Sequence, residues 1–328
     1  MKIFPVILLA LFVTSCTTTR LPDESVKVPS IDIDSSTKLS DEIIVIDNFY
    51  DKNANSNGSG EKNNADREKY LKSLMPQGAT HTTKYFHFSS DMSYEFTKSW
   101  AIYINDAFTE LSKLLNPIIK EKSNIYVFRT HERYRNYAKI LAPENAKARG
   151  YYDPKLRLIV TFYDKNPEKL KRTLLHECTH LMLRNYLGHN CIPPWLDEGL
   201  ACTYETGNYV NGKWEFGLPR ISFIRYLKKF KKVMEINPFA EVMSLGWRKF
   251  IGGSSPDVQY RYILSWSLVY YFIYYKNGIN KKQFIDYLHR IRAMQEPEMK
   301  YNFIYDDFIK PDETQFLRTW RDFLFSLN

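Results

Sequence analysis

His176, Glu177 and His180 stand in the order H-E-x-x-H within His176-Glu177-Cys178-Thr179-His180. A helix turns about 100° per residue, so positions i and i+4 lie on one face about one turn apart. His176 and His180 can therefore reach one metal ion from a single helical surface. Glu177 is placed beside them, where a carboxylate can take a proton from water on that metal. Chance alone supplies this pattern in roughly one chain in a hundred of this length, so its surroundings decide whether it carries chemistry.

The elements that would position these residues are legible on either side. Asn166 can cap a helix, Pro167 suits its first position and Glu168 its first turn. Leu170, Leu174, Leu175, Leu181 and Leu183 supply apolar surface, and Gly188 can end the helix. A second signal follows in Pro193-Pro194-Trp195-Leu196-Asp197-Glu198-Gly199-Leu200-Ala201. The prolines stop one segment, and Trp195 onward reads as a new helix. Zinc needs a third protein ligand and keeps a further position open for water. Glu198 can supply that ligand from the second helix, and Asp197 is its rival.

H-E-x-x-H followed by W-L-x-E-G-x-A resembles the gluzincin metallopeptidases, the zincins whose third ligand is a glutamate. The gap from His180 to Glu198 is shorter than in the large aminopeptidases and resembles the smaller bacterial peptidase-like domains of that clan. The resemblance implies that His176, His180 and Glu198 bind Zn2+ and that Glu177 is the general base; the ligand directly before the glycine is Glu198 rather than Asp197. It implies a fold of the α+β class, zincin-like: a small mixed or antiparallel sheet with the motif helix, then a mostly helical C-terminal subdomain. It further implies that Gly150 to Tyr152, or the hairpin partner of that strand, pairs with an extended peptide. Gluzincins often stabilise the oxyanion with a Tyr or His from the helical half. Tyr262 is the candidate here, with Tyr260 and His289 as alternatives. The Gly-x-Met-Glu-Asn amine-binding signature of the large aminopeptidases is absent.

The chain has 328 residues and is 16% aromatic, with 24 Tyr and 21 Phe, so a large core is easy to build. A formal net charge of +9 favours anionic surroundings. No basic repeat, RNA-binding aromatic motif or helix-turn-helix signal accompanies it, which argues against nucleic acid. The N-terminus reads as a targeting segment: Lys2, an apolar stretch from Ile3 to Val13, then Ser15. Val13-Thr14-Ser15-Cys16 resembles a bacterial lipobox, which implies cleavage before Cys16, lipidation of its sulfur and attachment to a membrane leaflet. Thr18, in place of Asp, points to the outer membrane, facing the periplasm or the cell surface.

Residues 1–16 are thus expected to be a lipoprotein signal peptide and 17–79 a flexible polar tether, rich in Ser, Thr, Asn, Asp and Lys. Residues 80–328 form the metallopeptidase-like domain, with an α/β half at 80–190 and a helical half at 191–328. Thr83 to Ser89 and Asn124 to Arg129 read as strands. Asp91 can cap a long helix to about Leu115 whose apolar stripe includes Trp100 and Tyr103, and His131 to Leu141 forms another helix. Gly150 to Thr161 reads as a hairpin turning near Pro154. Ile221 to Val233 is a helix with a solvated basic face, Gly252 to Pro256 a loop, and Tyr262 to Tyr275 a buried helix too short to span a membrane. Pro311 and Asp312 begin a last helix. Cys178, roughly 200° round the helix from His176, points into the core, and neither it, Cys191 nor Cys202 is read as a zinc ligand.

The chemistry expected is zinc-assisted hydrolysis of a peptide or protein substrate in the cell envelope. Two alternatives stand beside it: a catalytically silent zinc-binding lipoprotein acting as an assembly module, and a zinc hydrolase of a non-peptide amide.

Overall fold

A computed structural model of the chain describes residues 69–70, 73–75, 78–188, 192–229, 237–294 and 304–327. Cys16, the signal segment, Cys191 and most of the expected tether lie outside these residues.

The N-terminal half is built on a five-stranded mixed sheet. Its strands are β1 (Ala79–Thr82), β2 (Phe86–Ser90), β3 (Ser123–Phe128), β4 (Gly150–Asp153) and β5 (Leu158–Phe162), in the order β1-β2-β3-β5-β4. β2, β3 and β5 are parallel, while β1 and β4 are antiparallel to their neighbours at the two edges. The parallel pairs need crossovers. Helix α1 (Tyr94–Ser112) joins β2 to β3, and α2 (His131–Leu141) lies between β3 and the β4–β5 hairpin. Every residue of β5 is buried, as expected of a strand covered on both faces.

Side chains alternate across the sheet and so divide the core. Phe86, Phe88, Ile125, Val127 and Ile159 face α1 and the motif helix. Tyr126, Phe128, Leu158, Val160 and Phe162 face Tyr134, Tyr137 and Ala138 of α2 on the other side. Leu74 and Met75 join this second cluster, and Arg133 donates to the Leu74 carbonyl at 2.6 Å. Packing therefore begins before Thr80.

The motif helix α3 (Pro167–Leu187) follows β5, and α4 (Pro194–Tyr204) follows it. Asn166 accepts from the Lys169 amide at 3.1 Å, Pro167 opens α3, and Gly188 closes it at φ +76°, as the local residues predict. α3 is buried almost all round, the signature of a helix inside a core. A small hairpin, β6 (Asn208–Val210) and β7 (Lys213–Glu215), comes next. The remainder is helical: α5 (Ile221–Lys229), α6 (Phe239–Ser244), α7 (Trp247–Phe250), α8 (Ser255–Tyr274), α9 (Lys281–Ala293) and α10 (Glu313–Ser326). The fold is thus α+β with a helical C-terminal part, and one apolar cluster runs from the sheet to α10.

Several expectations shift at their edges. Asp91 does not cap α1; its carboxylate is occupied by the Arg129 amide at 2.5 Å and by Arg133 at 2.9 Å. Ser93 caps instead, accepting from Phe96. The strand expected at Thr83 to Ser89 is β2, which starts only at Phe86, and an additional strand, β1, precedes it in the polar Ala-Thr-His-Thr run. Trp100 and Tyr103 are only partly buried. The buried helix begins at Ser255, not Tyr262, because Ser254 and Asp257 form a reciprocal capping box around Pro256. Among the described residues no helix is long and apolar enough to cross a membrane.

Candidate metal centre

α3 and α4 pack face to face, and α4 is pressed in turn against α8. The contact with α8 passes through Gly199, where a Cβ would meet the Ser265 carbonyl oxygen at 2.5 Å and Val269 at 2.8 Å. Only a residue without a side chain allows this approach. It carries the neighbouring Glu198 into the face of α3 that bears the histidines.

The result is a convergence of three side chains from two helices. Glu198 Oε2 lies 3.4 Å from His176 Nε2 and 3.8 Å from His180 Nε2. The two imidazoles are 4.8 Å apart between centroids and nearly perpendicular, at 77°. His176 and Glu198 have no exposed surface, and His180 retains 6%. Glu177 is also fully buried.

The far nitrogen of each ring is committed elsewhere. His176 Nδ1 and Glu205 Oε2 are 2.8 Å apart, and His180 Nδ1 and Asp197 Oδ1 are 2.6 Å apart. A carboxylate at Nδ1 draws the ring proton there and turns Nε2 towards the centre as a lone-pair donor. His176 Nε2 is buried and makes no hydrogen bond. Two imidazoles and a carboxylate, with ligand atoms within 4.8 Å of one another, form a set that could hold a metal ion. Asp197, the rival third ligand, backs a histidine instead.

Arginines complete the electrostatics. Arg172 Nη2 donates to Glu205 Oε1 at 2.9 Å, and Arg220 Nη1 lies 2.5 Å from the same oxygen. Arg184 Nη2 donates to Asp197 Oδ2 at 2.8 Å. Burial alone would raise the Glu205 carboxyl, but Arg220, His176 and Arg172 hold it well below the usual carboxylate range. Burial likewise opposes ionisation of Asp197, and His180 and Arg184 outweigh it. Both carboxylates therefore remain charged.

A second grouping, His176, Cys202 and Glu205, is also close enough to hold an ion. Two guanidiniums already neutralise Glu205, and a cation there would lie beside both. Burial and the nearby Glu205 also push the Cys202 thiol above its ordinary pKa, which works against the thiolate a metal needs. The His176, His180 and Glu198 set carries no such penalty. Cys178 is buried in the apolar core, as its helical position predicts, and both it and Cys202 are free thiols.

The remaining site candidates are placed as follows. Tyr262 is fully buried on α8, its ring 5.4 Å from that of Phe250. Tyr260 is partly buried, and burial raises its hydroxyl to about 12. His289 on α9 bonds the Tyr186 hydroxyl at 2.7 Å. Tyr186 lies six positions beyond His180 and therefore on a different face of α3. β4 is an edge strand by sheet order, and a Cβ on Gly150 would meet Thr173 of α3 at 2.8 Å. Glu205, Arg172, Arg184 and Arg220 carried no role in the sequence reading.

A family model described as "Protein of unknown function (DUF1570)" matches residues 171–297. The match takes in His176, Glu177, His180, Asp197, Glu198, Glu205 and Arg220, and leaves out the five-stranded sheet. Comparison with curated proteins finds no match.

Proposed function

We propose that the protein is a zinc-dependent hydrolase of peptide bonds, tethered to a membrane of the bacterial cell envelope through a lipid on Cys16. One observation carries the reading: the Nε2 atoms of His176 and His180 both lie within 3.8 Å of one carboxylate oxygen of Glu198. Each imidazole is backed by a carboxylate on its other nitrogen. His176, His180 and Glu198 would hold the ion, which supplies a Lewis acid that acidifies water and polarises a carbonyl.

The chain's own residues supply the rest. Glu177 follows His176 directly, so its carboxylate is carried by the same turn of α3. It acts as general base, accepting the proton of the attacking water and passing it to the leaving amine. Asp197 and Glu205 keep the ring protons on Nδ1 throughout. The antiparallel edge strand β4 offers backbone groups to an extended peptide, and Tyr262 is the proposed oxyanion donor.

A closed, structural zinc site is the second reading, and burial favours it: His176, Glu177 and Glu198 have no exposed surface. Structural sites are closed, whereas catalytic ones keep a position open to water. Incubation with a mixed peptide library, with and without chelator, separates the two. Chelator-sensitive cleavage supports the hydrolase. Firmly held zinc with no cleavage supports the structural site.

A further inference from the structure

Arg172, His176, His180 and Arg184 follow one another at intervals of four along α3, so a single stripe of the helix reads Arg-His-His-Arg. Opposite it stand Asp197, Glu198 and Glu205. The two outer carboxylates are used in the same way. Glu205 gives Oε2 to His176 and Oε1 to Arg172 and Arg220. Asp197 gives Oδ1 to His180 and Oδ2 to Arg184. Arg220 is itself fixed, its guanidinium 3.6 Å from the centre of the Phe223 ring.

We propose that Arg184 and the pair Arg172 and Arg220 are positioning residues: through Asp197 and Glu205 they fix the orientation of both metal-binding imidazoles. The inference rests on reading His176, His180 and Glu198 as the metal site. A lone carboxylate can turn about its last bond and offer either oxygen. A guanidinium on one oxygen leaves the other for the imidazole and sets the carboxylate plane, because its donors form a rigid planar fork. The ring is then held with Nε2 towards the centre before any ion arrives. An ion pair serving stability alone has no reason to recur at both ligands, with each carboxylate divided between imidazole and guanidinium.

The test is the affinity of the full chain for zinc, by competition with a chromophoric chelator, together with the visible spectrum of the cobalt-loaded protein. Arg184→Met and Arg220→Met should each weaken zinc by about 10- to 100-fold, the range for loss of a group that orients a ligand. Both should alter the cobalt bands. Arg184→Lys should restore part of the affinity, since the charge returns without the fork. Arg149→Met, which breaks the remote pair with Asp164 at 3.0 Å, should change neither readout. If an arginine variant does not fold, Asp197→Asn and Glu205→Gln, close in shape to the originals, take its place with the same expectation. Wild-type affinity and an unaltered cobalt spectrum in the variants at both histidines would overturn the proposal and leave the metal site standing. A wild-type chain that binds no zinc would overturn the metal site, and the proposal with it.

Discussion

Gly199 is packed so closely against Ser265 that a Cβ would come within 2.5 Å of the Ser265 carbonyl oxygen. This contact sets the distance between α4 and α8, and therefore where Glu198 lies relative to α3. Gly199→Ala must push the two helices apart. Overpacking of this kind costs about 1–3 kcal/mol. Denaturant unfolding should show that loss, and zinc affinity should fall although no ligand has changed. A variant with unchanged stability would mean that the two helices yield freely here.

The ligand set makes a separate prediction. The wild type should hold about one equivalent of zinc, and His180→Ala and Glu198→Ala should each lose most of it. Asp197→Ala should retain zinc at reduced affinity, because Asp197 faces His180 Nδ1, the ring nitrogen turned away from the proposed ligand set. Elemental analysis of the three purified variants checks the order. Stoichiometric zinc in Glu198→Ala with none in Asp197→Ala would reverse the assignment.

The start of α3 is stabilised independently of the site. Asn166 accepts from the Lys169 amide at 3.1 Å, and its loss in Asn166→Ala should cost about 1 kcal/mol. The cap lies nearly three turns before His176, so zinc content should not change. A large loss of metal in this variant would show that the helix frays as far as the motif.

The anchor is tested by Cys16→Ser. The variant should leave the membrane fraction or accumulate unprocessed, whereas the wild type should carry lipid on Cys16. Fractionation and intact-mass measurement decide. An unprocessed wild-type chain free of membranes would remove both the lipid and the envelope location.

How far the sequence reading reached follows from the range of each interaction. α3 was legible to the residue because Asn166, Pro167 and Gly188 act on their own neighbours in the chain. Glu198 was singled out over Asp197 by the resemblance, whose pattern places the ligand directly before the glycine. Glu205 was not: its bond to His176 exists only because α4 crosses α3, and no periodicity reports that crossing. Arg172 and Arg184 lie at i−4 and i+4 about the histidines, but an arginine on a helix is ordinarily solvated, so that spacing carries no signal of its own. The capping of α1 was misjudged because Asp91 has tertiary partners in Arg129 and Arg133, which took it out of local competition. The first turns of α8 were hidden by Asp257, Gln259 and Arg261, polar residues that an apolar run does not include.

The central claim is that Glu177 moves a proton at a zinc site. Glu177→Gln preserves shape and cannot accept a proton at neutral pH, so the fold and the metal should survive. The decisive measurement is turnover beside zinc content, for wild type and Glu177→Gln, on a peptide that the wild type cuts. The account predicts equal zinc in both and a loss of about 10²- to 10⁴-fold in rate for the variant. Equal zinc with equal rates would contradict it.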